Sequence, residues 1–363
     1  MSWRETTLGE ITDLKRGFDL PKSQRLQGDV PVYSSSGITG SNSTAAVEGP
    51  CVITGRYGTI GEVFFSGGPC WPLNTALYST EFNGNNPRFI YYLLQTIPWQ
   101  GYTTASAVPG VNRNHVNLCP VKIPDRATQD AIVEVLDSIV DKIALNNRLN
   151  DYLANLCETI ASRYCNDRNS RLRDICYQVA DHVDYDNANQ ETYVSTESLM
   201  QNKGGRQLAS SLPTTGKITR YKAGDTLISN IRPYFKKIWY APFEGTCSGD
   251  VIVFRANDPS NAPYLHACLR QDSFFDYVMQ GAKGTKMPRG DKKQMMEFKV
   301  ASSCSAEDLI LLDSVIKQRS DNDSEITKLQ KLRDTLLPKL MSGEIDVSKI
   351  DLTQLTNNHL ADC

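Results

Sequence analysis

The sequence predicts a mixed α/β (α+β) fold in which two similar globular domains are joined by two long helices that form an antiparallel coiled coil with pseudo-twofold symmetry. The first observation is an internal repeat: Leu136 and Ser138 recur as Leu312 and Ser314, an offset of 176 residues in a chain of 363. The second is a pair of long amphipathic helical patterns. The third is a set of short strand-like runs bounded by Gly, Asn and Ser.

The repeat divides the chain into domains and helices in alternation. The globular parts repeat as well, since Val52–Thr54 corresponds to Leu227–Ser229 and Arg113 to Arg289. Two similar but non-identical domains suit a target that is itself asymmetric and bipartite. The predicted segments are a first domain at 1–125, a central helix at 126–165, a second domain at 166–304, a C-terminal helix at 305–345 and a tail at 346–363.

The central helix is predicted from apolar residues that recur at alternating spacings of four and three between Ala127 and Cys165. A helix of this length extends about 55 Å at 1.5 Å per residue. One polar residue, Asn146, interrupts the apolar stripe. The apolar positions are Ile132, Leu136, Ile139, Ile143, Leu149, Leu153, Leu156 and Ile160.

The C-terminal helix is predicted to begin near Ser305, an N-cap residue followed three positions later by Asp308. Pro338 should bend its last turn and Gly343 should end it. Its stripe contains Leu312, Val315, Asn322, Ile326, Leu329, Leu332 and Leu336.

Each stripe alone could equally belong to a helix packed on its own domain. Two matched stripes favour a mutual antiparallel pair. Asn146 and Asn322 occupy equivalent positions near the two helix midpoints, so this pairing predicts that they meet. A polar contact within an apolar seam can fix the register of a coiled coil.

The globular domains show the alternation and turn residues of short strands, with few helices. Predicted strands are Pro50–Thr54, Gly61–Phe65, Thr226–Ser229, Lys237–Tyr240 and Asp250–Phe254, and predicted short helices are Phe89–Gln95 and Tyr264–Gln271.

Catalytic and cofactor motifs are largely missing. The sequence contains no Pro-Pro dipeptide, which the Asn/Asp-Pro-Pro-aromatic motif of amino-methyltransferases requires, and no Walker lysine motif. The glycine spacing of Gly55–Gly61 differs from that of dinucleotide-binding loops and is typical of a tight hairpin. Asp291 and Glu297 lie too close in sequence for the usual nuclease arrangement. We therefore expect a non-enzymatic chain that binds no cofactor directly.

The cysteines and histidines predict neither a metal site nor a disulfide framework. Ten cysteines occur without a Cys-x-x-Cys pair, and the four histidines are widely separated. Reduced thiols fit a cytoplasmic protein. No apolar run approaches the roughly 20 residues of a membrane span, so no membrane association is expected.

Charge is distributed unevenly, although the net charge of −2 is small. Residues 166–305 contain 19 Lys and Arg against 15 Asp and Glu, whereas residues 1–125 contain nine of each. The distribution therefore favours a nucleic-acid partner more than the total does.

A basic loop in the second domain is the first candidate DNA contact. Glycines at 281, 284 and 290 would let its backbone approach phosphates, while basic side chains supply positive charge. A solvated basic loop is the alternative, but a related loop at 105–115 of the first domain favours the functional interpretation. The candidates are Lys283, Lys286, Arg289, Lys292 and Lys293 in the second domain and Asn112, Arg113 and Asn114 in the first.

Two hairpin segments form the second candidate. Arginine can bind guanine O6 and N7 through two hydrogen bonds, and asparagine can do the same for adenine N6 and N7. Packing is the alternative role for the tyrosines, and small hydroxyls suit phosphates or base edges. The candidates are Ser35, Ser36, Arg56, Tyr57, Asn230, Arg232, Tyr234 and Lys236.

A family resemblance accompanies these patterns. The run Lys331–Ile345 resembles the segment that closes the second helix in specificity subunits of type I restriction-modification systems. Three further segments support it: Trp3–Ile11, Val32–Gly37 and Gly284–Arg289. The resemblance covers nearly the whole chain. The first helix departs from the pattern, having Cys157 where the second helix has Arg333.

The resemblance implies two target-recognition domains, each reading one half of a bipartite asymmetric site in double-stranded DNA. It implies that the helices set the unspecified spacer and dock two methyltransferase subunits, which methylate adenine with S-adenosylmethionine. Motor-nuclease subunits, which use ATP and Mg, would join for cleavage. Catalysis would then reside in the partners, which accounts for the missing motifs.

Three other classes of protein compete with this interpretation. A stand-alone DNA-binding regulator with a coiled-coil spacer would share the basic loops and the repeat. A fused enzyme would need catalytic motifs that the sequence lacks, and a coiled-coil adaptor would not need two strand-rich repeats. An adjacent methyltransferase gene would favour the specificity subunit over the regulator.

Overall fold

A computed structural model describes residues 2–103, 110–164 and 169–350, which form two compact units. Unit 1 contains 1–143 and 327–363, and unit 2 contains 144–326. The chain therefore passes between the units at 143/144 and at 326/327, inside the two long helices. Each unit therefore contains part of both helices. The predicted division into two domains, two helices and a tail stays a prediction. Residues 105–109 of the predicted loop, Cys165 and positions 351–363 of the predicted tail lie outside the described residues.

Unit 1 consists of short strands, three short helices, the first part of one long helix and the last part of the other. The strands are β1 (Trp3–Thr7), β2 (Lys15–Arg16), β3 (Val30–Ser34), β4 (Gly37–Asn42), β5 (Cys51–Gly55), β6 (Val63–Ser66), β7 (Trp71–Pro72), β8 (Ala76–Ser79) and β9 (Pro120–Pro124). The helices are α1 (Leu8–Ile11), α2 (Pro87–Gln95), α3 (Arg113–Val116) and the long α4 (Arg126–Arg163), with 3-10 turns at Lys22–Gln24, Trp99–Tyr102 and Val347–Lys349.

Unit 2 repeats this plan and adds one helix. The strands are β10 (Ser170–Arg171), β11 (Cys176–Gln178), β12 (His182–Asp184), β13 (Lys217–Tyr221), β14 (Thr226–Ser229), β15 (Ile238–Tyr240), β16 (Gly245–Cys247), β17 (Val251–Ala256) and β18 (Lys299–Val300). The helices are α5 (Leu172–Ile175), α6 (Ala262–Leu269), α7 (Asp272–Gln280), α8 (Lys292–Met295) and the long α9 (Ala306–Ser342), with 3-10 turns at Tyr185–Asn187, Pro233–Phe235 and Pro259–Asn261.

Sheet topology confirms the repeat and the predicted fold class. The main antiparallel sheet has the order β2-β8-β5-β6 in unit 1 and β11-β17-β14-β15 in unit 2, so equivalent strands occupy equivalent places. In each unit the first and last strands pair, β1 with β9 and β10 with β18. The three-stranded sheets differ: β4-β3-β7 contains a parallel pair, whereas β12-β13-β16 is antiparallel.

The two long helices pack together, and each unit shows one end of the pairing. In unit 1, Leu136 near the start of α4 shares a buried core with Leu340 near the end of α9. In unit 2, Ile160 near the end of α4 shares a core with Leu312 near the start of α9. This arrangement matches the predicted antiparallel orientation. The helix bounds also match the prediction, and Gly343 with φ of +77° follows the last turn of α9.

The predicted seam residues are buried to different extents. Leu136 and Leu312 are fully buried, Ile139 and Val315 nearly so. Leu149, by contrast, is 39% exposed. The half-buried members are Ile143, Leu153, Leu156, Leu329, Leu332 and Leu336.

The predicted contact between Asn146 and Asn322 is replaced by a staggered network in unit 2. Asn146 donates to Glu325 at 2.7 Å, and Asn322 donates to Asn150 at 2.8 Å. Asn150 in turn donates to Asp323 at 2.7 Å. The sequence predicted a polar seam here but paired the wrong residues, because the facing side chains lie about one turn away from the positions that the repeat offset suggests.

In each unit a carboxylate of α4 binds side chains of the globular part. In unit 1, Asp137 accepts from the Arg88 Nε at 2.9 Å and from the Tyr92 hydroxyl at 2.5 Å. In unit 2, Glu158 accepts from the Lys203 ammonium at 2.9 Å and from Arg270 at 3.4 Å. The helices are therefore bound to the domains by charge as well as by apolar burial.

A buried histidine makes the stability of unit 2 sensitive to acid. His266 is 1% exposed and lies 3.2 Å from the Thr226 hydroxyl. Burial, followed by the positive charges of Arg270 and Arg319, lowers the pKa of His266 well below its usual value. The unfolded chain takes up a proton near pH 6.5 but the folded chain does not, so stability falls as pH decreases through this value.

We therefore expect the free energy of unfolding to fall by about 1.4 kcal/mol per pH unit below about pH 6.5 because of this residue. Urea unfolding of the native chain and of His266→Gln, compared from about pH 7.5 to 5.5, measures this effect. An identical pH dependence in both proteins would contradict it.

Candidate nucleic-acid interface

In unit 1 the structure brings together three segments that the sequence singled out. Arg56 follows β5, and its carbonyl oxygen accepts from the Val111 N–H at 2.9 Å. This hydrogen bond places the segment before α3 directly beside the Arg56 turn. Ser35 belongs to the same surface, because a Cβ added at Gly58 would lie 3.3 Å from the Ser35 hydroxyl.

The Arg56 guanidinium stacks on the neighbouring Tyr57 ring, 4.6 Å from its centroid. Tyr57 is 38% exposed and forms an antiparallel bridge with Gly110. A Cβ at Gly110 would lie 2.3 Å from the Tyr57 ring, so the ring requires glycine there. Tyr57 is therefore both packed and partly exposed, so its packing role does not exclude the predicted DNA contact.

The segment at 112–114 begins helix α3. The Asn112 side chain caps the helix by accepting from the Asn114 N–H at 3.0 Å, which gives Asn112 a structural role. Arg113 and Asn114 are exposed. Ser36 is exposed and Ser35 half-buried in the turn between β3 and β4. The candidate groups of unit 1 are thus mainly polar and include two arginines, of which Arg113 is exposed and Arg56 is half-buried.

In unit 2 the two predicted segments pair in the same way. Ile231 forms a bridge with Arg289, and the Arg232 N–H donates to the Pro288 carbonyl at 2.8 Å. The basic loop is itself a hairpin, closed by two backbone hydrogen bonds of 2.9 Å between Lys283 and Arg289. Arg232 adopts the left-handed conformation with φ of 50°, and Tyr234 is 46% exposed.

Three of the predicted cations are engaged by carboxylates. Arg289 lies 3.1 Å from Asp250, and Lys283 lies 3.3 Å from Asp291. Lys236 donates to Asp272 at 2.8 Å, and this hydrogen bond, followed by that of Lys203, lowers the pKa of Asp272. Among the predicted DNA-contact lysines, Lys286, Lys292 and Lys293 are exposed and form no such ion pair within the described residues.

The side chain of Asn230, which is predicted to contact DNA, is largely covered. It is only 7% exposed, and its Oδ1 lies 3.1 Å from the position that a Cβ would occupy at Gly290. Its backbone N–H donates to Asp250 and its carbonyl accepts from Gly290. Asn230 therefore supports the segment from inside, because the hairpin covers its side chain.

The hydrogen bonds between these segments change one correspondence that the repeat predicted, that of Arg113 with Arg289. Val111 and Gly290 donate to the carbonyls of Arg56 and Asn230, respectively. Asn112 and Asp291 then cap the short helices α3 and α8. The counterpart of Arg113 is therefore Lys292 and not Arg289, because the loop of unit 2 places extra residues before the cap.

Two supporting carboxylates were missed from the sequence. The Asp291 carboxyl accepts from the N–H groups of Gln294 and Lys293, which, with the Lys283 ammonium, lower its pKa. A polar residue before a short helix is a recognisable cap signal and could have identified Asp291. Asp250 contacts Arg289 across 39 positions of sequence, and no local pattern indicates such a pair.

Within the described residues there is no group of three or more His, Cys, Asp or Glu side chains placed to hold a metal ion. None of the helices found in those ranges has the length and apolar character needed to cross a membrane.

Comparisons with known proteins agree with this architecture. A family model for the type I restriction modification DNA specificity domain matches residues 1–155. The specificity subunit of the type I restriction enzyme EcoDI from Escherichia coli is 19% identical over 408 aligned positions, which cover 95% of this chain and 89% of that protein. A solved S subunit of a type I restriction-modification system from M. genitalium has a TM-score of 0.58 at 15% identity, covering 94% of this chain and 96% of that one.

Proposed function

We propose that this chain is a type I restriction-modification specificity subunit, which the family model over residues 1–155 and the EcoDI relative support. Each unit would then read one half of a bipartite, asymmetric DNA site. One observation carries the proposal: the same two backbone segments meet in both units, but they present different side chains. Arg56 and Tyr57 lie beside Arg113 in unit 1, whereas Arg232 and Tyr234 lie beside a lysine-rich hairpin in unit 2. Equivalent backbone segments that present different side chains suit two different half-sites.

Positive charge supports contact with the DNA backbone, chiefly in unit 2. Lys286, Lys292 and Lys293 are exposed near the paired segments. Phosphate contacts of this kind give affinity and orientation without sequence information. The arginines and polar side chains beside them would then supply base selection.

The long helices are proposed to set the spacer and to dock partner subunits. An exposed apolar stripe on α4 supports docking, because Leu145, Leu149 and Tyr152 are 58%, 39% and 64% exposed at positions that share a helix face. Two methyltransferase subunits would occupy such surfaces and supply S-adenosylmethionine chemistry. Motor-nuclease subunits with ATP and Mg would complete a restriction complex, and this chain would remain non-catalytic in the cytoplasm.

Adenine methylation mapped in native DNA tests the proposal. We compare the source strain, a strain lacking this gene, and the deletion strain carrying the gene again. Loss and recovery of one split, asymmetric methylated motif is the expected result. A methylation pattern unchanged by the deletion would contradict the proposal, and altered transcription without altered methylation would favour a stand-alone DNA-binding regulator.

The lysines of α8 should contribute to affinity without contributing to specificity. Replacing Lys292 and Lys293 by alanine is expected to weaken DNA binding by the complex for all sequences alike. The slope of log affinity against log salt should become shallower by about two, because two phosphate contacts are lost. Binding assays at several salt concentrations measure this.

The matched control removes two other lysines of unit 2, Lys217 and Lys299, which lie in β13 and β18. Their replacement should leave the slope nearly unchanged. Equal changes in both variants would show that general charge, and not the α8 position, determines affinity.

A further inference from the structure

We propose that Arg56 reads a guanine in the half-site bound by unit 1, and that Tyr57 holds its guanidinium in the reading orientation. This inference rests on the proposed function, and it names the base, the half-site and the residue pair. Four observations carry it: the fixed backbone of Arg56, its stacked guanidinium, the packing of Gly110 against the Tyr57 ring, and the small residues beside Arg56.

The backbone of Arg56 is held on both sides. Its N–H donates to the Thr75 carbonyl at 2.9 Å, and its carbonyl accepts from the Val111 N–H at 2.9 Å. The preceding strand β5 is buried along its whole length and pairs with both β6 and β8. The Cα of Arg56 therefore has a defined position at the end of a central strand.

The guanidinium is held by stacking and leaves its hydrogen-bonding edge available. It lies 4.6 Å from the Tyr57 ring centroid, and no ion pair involving Arg56 occurs in the described ranges 2–103, 110–164 and 169–350. Stacking uses the face of the guanidinium, so the N–H groups along its edge remain free to donate. Arg289 differs, because Asp250 occupies its guanidinium at 3.1 Å.

Tyr57 is itself braced. Its ring packs against Gly110, where a Cβ would approach to 2.3 Å, and its N–H donates to the Thr75 carbonyl at 3.1 Å. A braced ring costs little additional entropy when it orients a neighbouring side chain. Tyr57 is therefore a positioning residue, and Arg56 makes the base contact.

Among the described neighbours of Arg56, two small residues leave room for a DNA groove to approach. Gly58 has φ of +80° and carries no side chain, and the small Ser35 lies beside it. A planar, oriented guanidinium matches guanine O6 and N7 in the major groove. The same planar fork can bind a phosphate, which carries no sequence information, so a change in base preference on mutation distinguishes the two contacts.

Methylation mapping with the assembled complex tests the inference. Complexes containing native chain, Arg56→Ala, Arg56→Lys or Tyr57→Phe are compared on a library in which every position of the native motif is varied. A bidentate contact is worth about 1–3 kcal/mol, so Arg56→Ala should reduce the preference for one guanine by roughly 5- to 150-fold. The other half-site and the spacer should not change.

The other variants separate base reading from charge. Arg56→Lys keeps the charge but loses the planar fork, so it should lose the guanine preference while keeping the salt dependence of binding. Tyr57→Phe keeps the stacking ring and should retain the native preference. Arg4→Ala, which removes an exposed arginine of β1 in the same unit, should also leave base preference unchanged.

Three outcomes would overturn the inference: a native motif without guanine in either half, an equal loss for all bases in Arg56→Ala, or a change confined to the half read by unit 2. Failure of the proposed function would look different, because the native complex itself would then show no split motif.

Discussion

Inserting one four-residue turn into both long helices, at 143/144 in α4 and at 326/327 in α9, is expected to lengthen the spacer of the recognised site without changing either half-site. These are the two places where the chain passes between the units, so each unit keeps its own internal contacts. Four residues add about 6 Å and a little more than one helical turn, which nearly restores the facing of the seam. At about 3.4 Å per base pair, the spacer should grow by one or two base pairs.

The measurement is the methylated motif in cells that express the lengthened chain with its partners. Insertion into α4 alone is the control, and it should abolish methylation because the two helices would no longer pair in register. If the double insertion leaves the spacing unchanged or alters the bases of either half, the long helices do not set the spacer.

Glu158→Ala is expected to destabilise unit 2 by roughly 3 kcal/mol, because it removes the carboxylate that the nearly buried Arg270 contacts. Lys203 would keep Asp272, at 2.9 Å, as its remaining ion-pair partner among the described residues. The Lys203 and Arg270 side chains are 10% and 4% exposed. Burial, followed by the nearby charge of Arg319, lowers the pKa of Arg270 to about 10, which shows how strongly this guanidinium is desolvated. Removing its partner leaves that cost uncompensated.

The same substitution should affect reading by unit 2. The Lys203 N–H donates to the Lys236 carbonyl at 2.8 Å, so Glu158 fastens the 232–236 segment to α4 through Lys203. Methylation at motifs with a changed second half-site should therefore rise relative to native motifs, while selection of the first half-site persists.

Urea unfolding and motif mapping check both effects. Asp151→Ala is the matched control, since Asp151 is an exposed acidic residue on the same helix. It should change stability by less than about 0.5 kcal/mol. If Glu158→Ala behaves like Asp151→Ala, the charge network does not hold unit 2 to the helix.

The helices and many strands could be predicted because their signals are local and periodic. The predicted strand Thr226–Ser229 has the bounds of β14, and the α4 pattern from Ala127 matches a helix that starts at Arg126. Helix α7 was missed, although Phe274, Phe275 and Val278 are buried in its one apolar face. It has only nine residues, directly after α6, and the short polar break between them gave no separate signal.

The candidate surfaces were predicted as lists of residues and not as contacts. Arg56 and Arg113 were both identified, but the segments that contain them are joined by a hydrogen bond between Arg56 and Val111, which lie far apart in sequence. The side-chain burial of Asn230 and the ion pair of Arg289 with Asp250 likewise depend on packing between distant strands. Residue type indicated which side chains could contact DNA, and the fold determines which of them are neither buried nor engaged in ion pairs.

Binding of the assembled complex to four duplexes tests whether each unit reads one half of a split site. The duplexes carry the native motif, a scrambled first half, a scrambled second half and a spacer changed by one base pair. We expect a strong loss of affinity for each altered duplex. We also expect Arg56→Ala to weaken binding to the native duplex but not to the duplex whose first half is already scrambled. Native affinity for a duplex with either half scrambled, or an equal effect of Arg56→Ala on every duplex, would show that the units do not read separate half-sites.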